Sequence, residues 1–347
     1  MAYCEFSDVG ITGVAVAVPK TISKNRDCKT FSERQISRFI KNVGVEQKRL
    51  SNKEQTSSDL GYEAALALFK HKKINPESID ALLFLTQNGD YFTPSTAYVL
   101  AHRLGLSHNC MPFDINLGCS AFVYGIHLAS SLIQGGAMSK VLVIIADVPK
   151  KGFTNENDSL LFGDCGSAVL VERKEGAIIK SLLKSDGDRY TALITRGGLS
   201  RHPVDSSIDY YSQVGAGMNG EDVMSFSITD VPQTINEFLK ITNQNVANFD
   251  AVLLHQANMM MDKTIIQKIN VDASKVPFTM DRFGNVNGSS IPLTLVDFIM
   301  RTKTSDKLLL LSSGFGVGLS WGVNSFDIDI KDVLPLIETD DYYKEAF

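Results

Sequence analysis

The chain has 347 residues, of which 44% are hydrophobic and 21% are charged, and its net charge is −5 at pH 7. This length allows a large core or two fused domains, and the composition is typical of a globular protein. The negative charge argues against broad nucleic-acid binding, and no apolar run approaches the roughly 18 residues that a membrane helix needs.

The cysteine content and residues 1–8 indicate the cellular compartment of the protein. Five cysteines form an odd number without CxxC spacing, which argues against a disulfide framework and a cysteine zinc site. Residues 1–8 lack the basic and apolar regions of a signal peptide. We therefore expect a reduced, cytoplasmic protein that does not enter a membrane. Apart from His255, the histidines show no paired metal-ligand spacing, and we expect neither a metal nor a cofactor.

Strand and helix patterns alternate along the first half of the chain. The apolar spacing predicts strands at residues 9–18, 111–115 and 140–146, a strand within residues 79–88 that enters a polar loop, and helices at residues 32–40, 60–68 and 94–104. Ser57 or Ser58 is expected to cap the helix at residues 60–68, and residues 41–50 are predicted to be a polar loop. A further helix begins near residue 121 and is closed by Gly135 and Gly136. Residues 161–170 are predicted to be a loop that returns into another strand. This alternation is typical of an α/β fold.

The second half repeats this order. A helical pattern at residues 231–239 precedes residues 249–258, which resemble residues 79–88: apolar-Asp-Ala, a short apolar run, then Gln and Asn. Residues 307–311 repeat the apolar run of residues 140–146. An internal duplication explains both matches. We expect two similar α/β halves, residues 1–175 and 176–347, with the boundary near residues 172–185.

Three residues at strand ends are candidates for chemistry, because α/β folds place their sites there. Cys119 precedes an apolar helix, where the dipole favours a thiolate and hence a nucleophile. His255 closes a buried strand, and Asn285 lies in a glycine-rich turn before a helix. Each also has a structural interpretation, as a buried thiol, a hydrogen-bonded core histidine and a turn residue. A Cys–His pair alone suggests a thiol hydrolase or an acyl transferase, and the spacing does not decide between them.

Several segments together resemble the ketoacyl-acyl-carrier-protein synthase III branch of the thiolase-like condensing enzymes. They fall in the family's order and cover nearly the whole chain: residues 114–122 around Cys119, Phe162-Gly163-Asp164, His255-Gln256-Ala257-Asn258, residues 284–292, and residues 314–322. The resemblance implies a thiolase-like fold, with two duplicated α/β halves packed as α-β-α-β-α layers, and a homodimer. It also implies substrates: an acyl-CoA or acyl-carrier-protein thioester and a malonyl-type thioester.

The resemblance implies a Cys-His-Asn triad formed by Cys119, His255 and Asn285. Cys119 would take an acyl group, and a malonyl-type thioester would then lose carbon dioxide in a decarboxylative Claisen condensation. His255 and Asn285 would stabilise the enolate as neutral donors, and the backbone N–H groups of Cys119 and Val317 would hold the tetrahedral oxyanion. The position of Val317 is usually glycine in the family.

Other positions depart from the family's pattern. Asn42, Glu156 and Met260 stand where members that use coenzyme A carry basic residues, and Arg38 stands where they carry an aromatic ring. Lys263 and Lys268 remain as carrier-protein docking residues, and Thr93 replaces a phenylalanine that closes the acyl pocket. These departures favour a condensing enzyme of a specialised pathway. The alternatives are acyl transfer without condensation, housekeeping initiation of fatty-acid synthesis, and a catalytically silent carrier-binding subunit.

Overall fold

The structure is a computed structural model that describes residues 2–149, 159–205, 216–302 and 306–345. Its strands are β1 Ala2–Pro19, β2 Ile22–Lys24, β3 Gln47–Arg49, β4 Ala81–Leu85, β5 Met111–Ile115, β6 Lys140–Asp147, β7 Cys165–Ser185, β8 Leu193–Thr195, β9 Ala216–Met218, β10 Ala251–Leu254, β11 Lys307–Gly316, β12 Ser320–Asp329 and β13 Ile337–Thr339. Its α-helices are α1 Glu33–Val43, α2 Ser57–Lys72, α3 Thr96–Leu104, α4 Ala121–Gln134, α5 Gly220–Ile241, α6 Met259–Lys268, α7 Met280–Phe283 and α8 Ser290–Arg301.

A mixed sheet organises the described part of the chain. Its strand order is β10-β11-β12-β7-β6-β4-β5, and β1 pairs with both β7 and β13. The β4 strand runs parallel to β5 and β6, as β10 does to β11, while β7 is antiparallel to β6, β12 and β1. The parallel strands β4 and β10 are buried throughout, as expected where helices cover both faces.

Three apolar clusters define five layers. The central cluster contains α4 and α8 between strands of the two halves of the sheet. A second cluster packs α2 and α3 on the outer face of the β4–β6 half, and a third packs α5 and α6 on the β10–β11 half. The predicted α-β-α-β-α layering is confirmed. Within the described residues, no helix combines the length and apolarity needed to cross a bilayer.

The β7 strand takes part in both halves of the sheet. Its residues 165–172 pair with β6, and its residues 180–185 pair with β12. The order β4-β6-β7 is therefore repeated as β10-β11-β12, with the same parallel and antiparallel pairing. Because β7 continues through residue 175, the predicted boundary falls inside a strand, and the division into residues 1–175 and 176–347 stays a prediction.

Two local expectations are corrected by hydrogen bonds. Thr56 rather than Ser57 or Ser58 caps α2, because the Thr56 backbone N–H donates to the Asp59 carboxylate at 2.9 Å in a capping box. Residues 41–50 are not only a loop: α1 continues to Val43, and Gln47–Arg49 form a strand with β2.

Candidate active site

Cys119 lies in the turn between β5 and α4. Ser120 is the N-cap of α4, so Cys119 stands just before the helix, as its sequence predicts. Gly316, the last residue of β11, faces it closely: a Cβ at that position would lie 2.6 Å from Cys119 Cβ and 3.2 Å from its sulfur. Only glycine leaves room for the cysteine there. The fold thus brings the β5–α4 turn of one half against β11 of the other.

The surroundings of Cys119 do not favour a thiolate in the resting protein. Burial raises the pKa of its thiol to about 12, and the Asp147 carboxylate contributes to the rise. Burial likewise raises the pKa of Asp147 to about 7, although Thr86 and the Gln87 N–H hydrogen-bond to it. Desolvation thus opposes the stabilisation of a thiolate that the start of α4 is expected to provide. A nucleophilic Cys119 therefore needs a base and nearby hydrogen-bond donors.

His255 directly follows β10 and is only 1% exposed. Its backbone N–H donates to Ser313 O at 2.8 Å, and its Nδ1 lies 2.8 Å from Ser290 Oγ. Its ring also stands edge-on to Phe315, with centroids 5.3 Å apart. Burial lowers the pKa of His255 to about 3, against the opposing effect of a hydrogen bond to the Asn287 backbone. The imidazole is therefore neutral at pH 7 and can act as a neutral donor or as a base.

Asn285 is buried and fixed by its main chain. Its N–H donates to Leu161 O at 2.9 Å, and its carbonyl accepts from the Gly163 N–H at 3.0 Å. A side chain at position 163 would clash with the Phe283 carbonyl, so the Phe162-Gly163-Asp164 segment is what seats Asn285. The Asn285 Oδ1 accepts the Asn287 N–H at 2.9 Å, which leaves its Nδ2 as the group free to donate to a substrate.

Asn287 connects the three candidate residues, and the sequence interpretation missed it. Its Oδ1 lies 3.6 Å from the Cys119 sulfur, its N–H holds Asn285, and its backbone is bonded to the His255 ring. It adopts a left-handed φ of +50°, a conformation that asparagine tolerates well. The Asn287-Gly288 pair was the available signal, since asparagine before glycine marks such a turn.

Val317 lies in the turn between β11 and β12, and its carbonyl accepts from Ser320 Oγ at 2.6 Å. Ser320 Oγ also lies 2.6 Å from Ser120 Oγ at the start of α4, which ties this turn to that of Cys119. In the described part of the chain, neither the Cys119 nor the Val317 N–H donates to a backbone carbonyl. Val317 is not among the residues with positive φ, so valine fits where the family usually has glycine.

The remaining predicted residues, where the structure describes them, lie on α1, on α6 and in the loop before α3. Thr93 is exposed in the loop between β4 and α3. Lys263 and Lys268 are exposed on α6, where Lys268 Nζ donates to Ile228 O at 2.7 Å. Met260 is 52% exposed on the same helix. Asn42 and Arg38 lie on α1, and Glu156 lies outside the described residues.

The layered fold and a cysteine at the meeting point of its two halves are those of a thiolase-like condensing enzyme. Models of 3-oxoacyl-[acyl-carrier-protein] synthase III and of its C-terminal part match residues 113–187 and 239–328. Beta-ketoacyl-[acyl-carrier-protein] synthase III of Clostridium tetani is 30% identical over 329 residues, 91% of this chain and 97% of the relative. That of Clostridium perfringens is 31% identical over 316 residues, 89% of this chain and 96% of the relative.

A solved structure shows the same fold. The crystal structure of 3-oxoacyl-(acyl-carrier protein) synthase from Burkholderia xenovorans LB400 superimposes with a TM-score of 0.90 at 30% identity, covering 97% of this chain and 99% of that one. The chain belongs to the 3-oxoacyl-[acyl-carrier-protein] synthase III family. It is an acyltransferase that forms an acyl-enzyme and performs a decarboxylative Claisen condensation, and acyl transfer without condensation is not favoured.

Proposed function

We propose that Cys119, His255 and Asn285 perform this condensation on thioesters of an acyl carrier protein. The observation that carries the proposal is the convergence of all three residues on Asn287. A sulfur nucleophile, a neutral imidazole and an oriented amide are the groups that the two half-reactions require.

In the first half-reaction, His255 takes the thiol proton of Cys119, and the thiolate attacks the donor thioester. The backbone N–H groups of Cys119 and Val317 stabilise the tetrahedral oxyanion. The donor's thiol leaves with the proton, and the acyl group stays on Cys119. The absence of a backbone acceptor for either N–H in the described residues supports this role.

In the second half-reaction, a malonyl-type thioester loses carbon dioxide. His255 and the Asn285 Nδ2 donate hydrogen bonds to the enolate oxygen, and the enolate carbon attacks the acyl carbonyl on Cys119. The bond from this carbonyl to the Cys119 sulfur then breaks, so the condensed product leaves and the Cys119 thiolate takes up a proton from solvent. A neutral imidazole suits this step because a donor of similar acidity to the enol stabilises the oxygen without trapping it. The low pKa of His255 supports this assignment.

An acyl carrier protein is the favoured source of the thioester. Arg34, Arg38 and Lys41 are exposed along one face of α1 and make no ion pair in the described part of the chain. Gly44, which ends α1, packs against Met259 of α6, so this basic face adjoins the helix that follows His255. Among the described residues, Lys263 makes no hydrogen bond or ion pair through its side chain, whereas the Lys268 ammonium donates to Ile228 O on α5. Lys263 is therefore the better docking residue. Asn42 and Met260 supply no charge for a coenzyme A phosphate.

Three further properties belong to the proposal. Thr93 would shape the acyl pocket of a partner subunit in a homodimer and admit a larger or more polar acyl group than phenylalanine does, which favours a specialised pathway. Residues 1–175 and residues 176–347 would each be one copy of the duplicated α/β unit. All five cysteines are free, which supports a reducing, cytoplasmic location.

The test separates the half-reactions by following malonyl-carrier decarboxylation and acyl loading of the protein in the same samples. His255→Ala and Asn285→Ala should each lower decarboxylation about a hundredfold or more, because each removes an oxyanion donor. His108→Ala and Asn109→Ala, at exposed positions, serve as controls and should leave both rates unchanged. Undiminished decarboxylation in both site variants would contradict the proposal.

A second arm of the test identifies the donor. Acetyl-CoA and a panel of acyl-carrier thioesters are compared as sources of condensation product. We expect carrier-bound acyl groups to be preferred, and Lys263→Glu to weaken that preference more than Lys268→Glu does. A clear preference for acetyl-CoA would overturn our interpretation of Asn42 and Met260.

A further inference from the structure

Asn287 occupies a place where its side chain meets the reacting sulfur. It is only 5% exposed, and it opens the 3-10 turn Asn287–Ser289 that leads into α8. The Cys119 thiol donates to Asn287 Oδ1 over 3.6 Å, a normal length for a bond with sulfur as the donor. Within the described part of the chain, the other hydrogen bond to this sulfur comes from the backbone of Cys119 itself. The amide is therefore the polar side chain best placed to respond to a change in the charge of the sulfur.

The backbone of Asn287 has a separate task. Its N–H fixes Asn285 and its peptide is bonded to His255, and both contacts depend on the left-handed φ of +50°. A glycine would keep these backbone contacts equally well, since glycine adopts that φ without strain. The backbone therefore does not account for the amide, which points at the sulfur.

An amide offers an acceptor and a donor at nearly equivalent positions. Its oxygen accepts from the S–H of the thiol, and a half-turn of the amide group presents Nδ2–H to the thiolate instead. We propose that the Asn287 side chain is a catalytic group that stabilises the Cys119 thiolate by such a hydrogen bond. The proposal rests on the proposed function, in which Cys119 is the nucleophile. The thiol proton passes to His255 as the thiolate forms, and no other co-reactant is needed.

The electrostatics of the site explain why a donor is needed. Partial burial of Cys119 and the Asp147 carboxylate both raise the pKa of the Cys119 thiol. A neutral donor offsets part of this cost without adding a charge. An aspartate at position 287 would keep the size and the tolerance of left-handed φ, but would present negative charge to the sulfur.

The experiment measures the pH dependence of Cys119 alkylation by iodoacetamide, followed by intact-protein mass spectrometry, with Cys119→Ala identifying the signal. Asn287→Asp should shift the profile so that alkylation between pH 7 and pH 9 is at least about tenfold slower than in the wild-type protein, which corresponds to a rise of about one unit in the thiol pKa. Asn287→Gly should shift it in the same direction by less. Asn270→Asp is the control, because Asn270 is exposed and has a similar φ of +52°.

Two results of this experiment would overturn the proposal. Profiles of both Asn287 variants that superimpose on the wild-type profile would overturn the proposal, even if acyl loading fell, because the residue would then act through its backbone alone. A shift in Asn287→Asp without one in Asn287→Gly would also overturn it, since only the added charge would then matter. Alkylation needs no acyl donor, so this result stands independently of whether the condensation itself is found.

Discussion

Burial shifts the pKa values of Asp147 and His255 in opposite directions, and both shifts favour the uncharged form. His255 is neutral at pH 7 because its pKa falls to about 3, whereas Asp147 titrates near neutrality because its pKa rises to about 7. The site thus holds a proton acceptor and a partly charged carboxylate around a thiol that resists ionisation. The chemistry of Cys119 therefore depends on the residues around it more than on its helix.

The raised pKa of Asp147 predicts that the stability of the folded protein depends on pH. Its folded pKa of about 7 exceeds its ordinary value of 3.8, so the folded protein holds a proton that the unfolded chain releases between these pH values. Its contribution to stability therefore falls as pH rises from about 4 to about 7. Asp147→Asn removes this titration while an amide oxygen can keep the bonds from Thr86 and Gln87.

The measurement is the free energy of unfolding in urea at several pH values. We expect wild-type protein to lose up to about 4 kcal/mol relative to Asp147→Asn between pH 4 and pH 7. Subtracting the variant cancels His255 and every other group that the two proteins share. Asp188→Asn, at an exposed position, should give no such trend. If the difference in the free energy of unfolding between wild type and Asp147→Asn were constant over this range, the pKa of Asp147 would not be raised by folding.

Sequence patterns located the three candidate residues but did not reveal the contacts that surround them. Cys119, His255 and Asn285 stand in local patterns that mark strand ends and turns, so their places in the fold were predictable. Asn287 was not recognised, because its role comes from a contact between residues 168 positions apart. The desolvation of the Cys119 sulfur was likewise not predictable, because residues beside it such as Gly316 come from distant segments.

At the scale of elements, the end of the described chain forms part of the fold. The β13 strand pairs with β1, joining Ala17 to Ile337, and the segment that follows packs on α2 and α3. Arg103 stacks on Tyr343 and Tyr62, 4.7 and 4.3 Å from their ring centroids, and forms an ion pair with buried Asp59 at 2.9 Å. The backbone N–H of Tyr343 also donates to Asp59 Oδ1 at 2.9 Å, so this segment is fixed to α2 and α3.

Arg103→Ala should destabilise the protein by about 3 kcal/mol or more, because it leaves the buried Asp59 charge without its partner. It should also release the terminal segment, so that limited proteolysis removes it faster. Arg301 is the matched control: it pairs with Asp297 but its side chain is 61% exposed, so Arg301→Ala should cost less than about 1 kcal/mol. Equal urea midpoints for Arg103→Ala and wild type would refute the structural role of this cluster.

Sequence patterns predicted the short strand β5 better than the long strand β1. The strand at residues 111–115 and the start of the helix at residue 121 are confirmed. The β1 strand was predicted only from residue 9, but it begins at Ala2 because residues 2–7 pair with residues 178–183. Its apolar alternation is weak there, and the pairing partner lies too far along the chain for local patterns to reveal it.

At the scale of the whole molecule, β5 ends the sheet and has a free edge in the described chain. Unpaired edges are available for pairing with another chain. Phe92 and Tyr98, near this edge, are 81% and 57% exposed. These features support the proposed homodimer with β5 at its interface.

Multi-angle light scattering should give the mass of two chains. Phe92→Lys combined with Tyr98→Lys should shift the protein toward the monomer, because two charges would be buried at the interface. Met300→Lys, at another exposed apolar position of 59% exposure, should leave the mass unchanged. A monomeric wild-type protein, or a dimer insensitive to the double variant, would contradict an interface at β5.

In the proposed reaction, Cys119 carries the acyl group between the two half-reactions. Intact-protein mass spectrometry tests this role after the protein is mixed with acyl-carrier thioesters, before and after a malonyl-type thioester is added. We predict that the wild-type protein and Cys165→Ala each gain one acyl group, which is lost when the malonyl thioester is supplied, and that Cys119→Ala gains none. An acyl group that still forms on Cys119→Ala, or no acyl gain from any donor, would show that Cys119 is not the carrier.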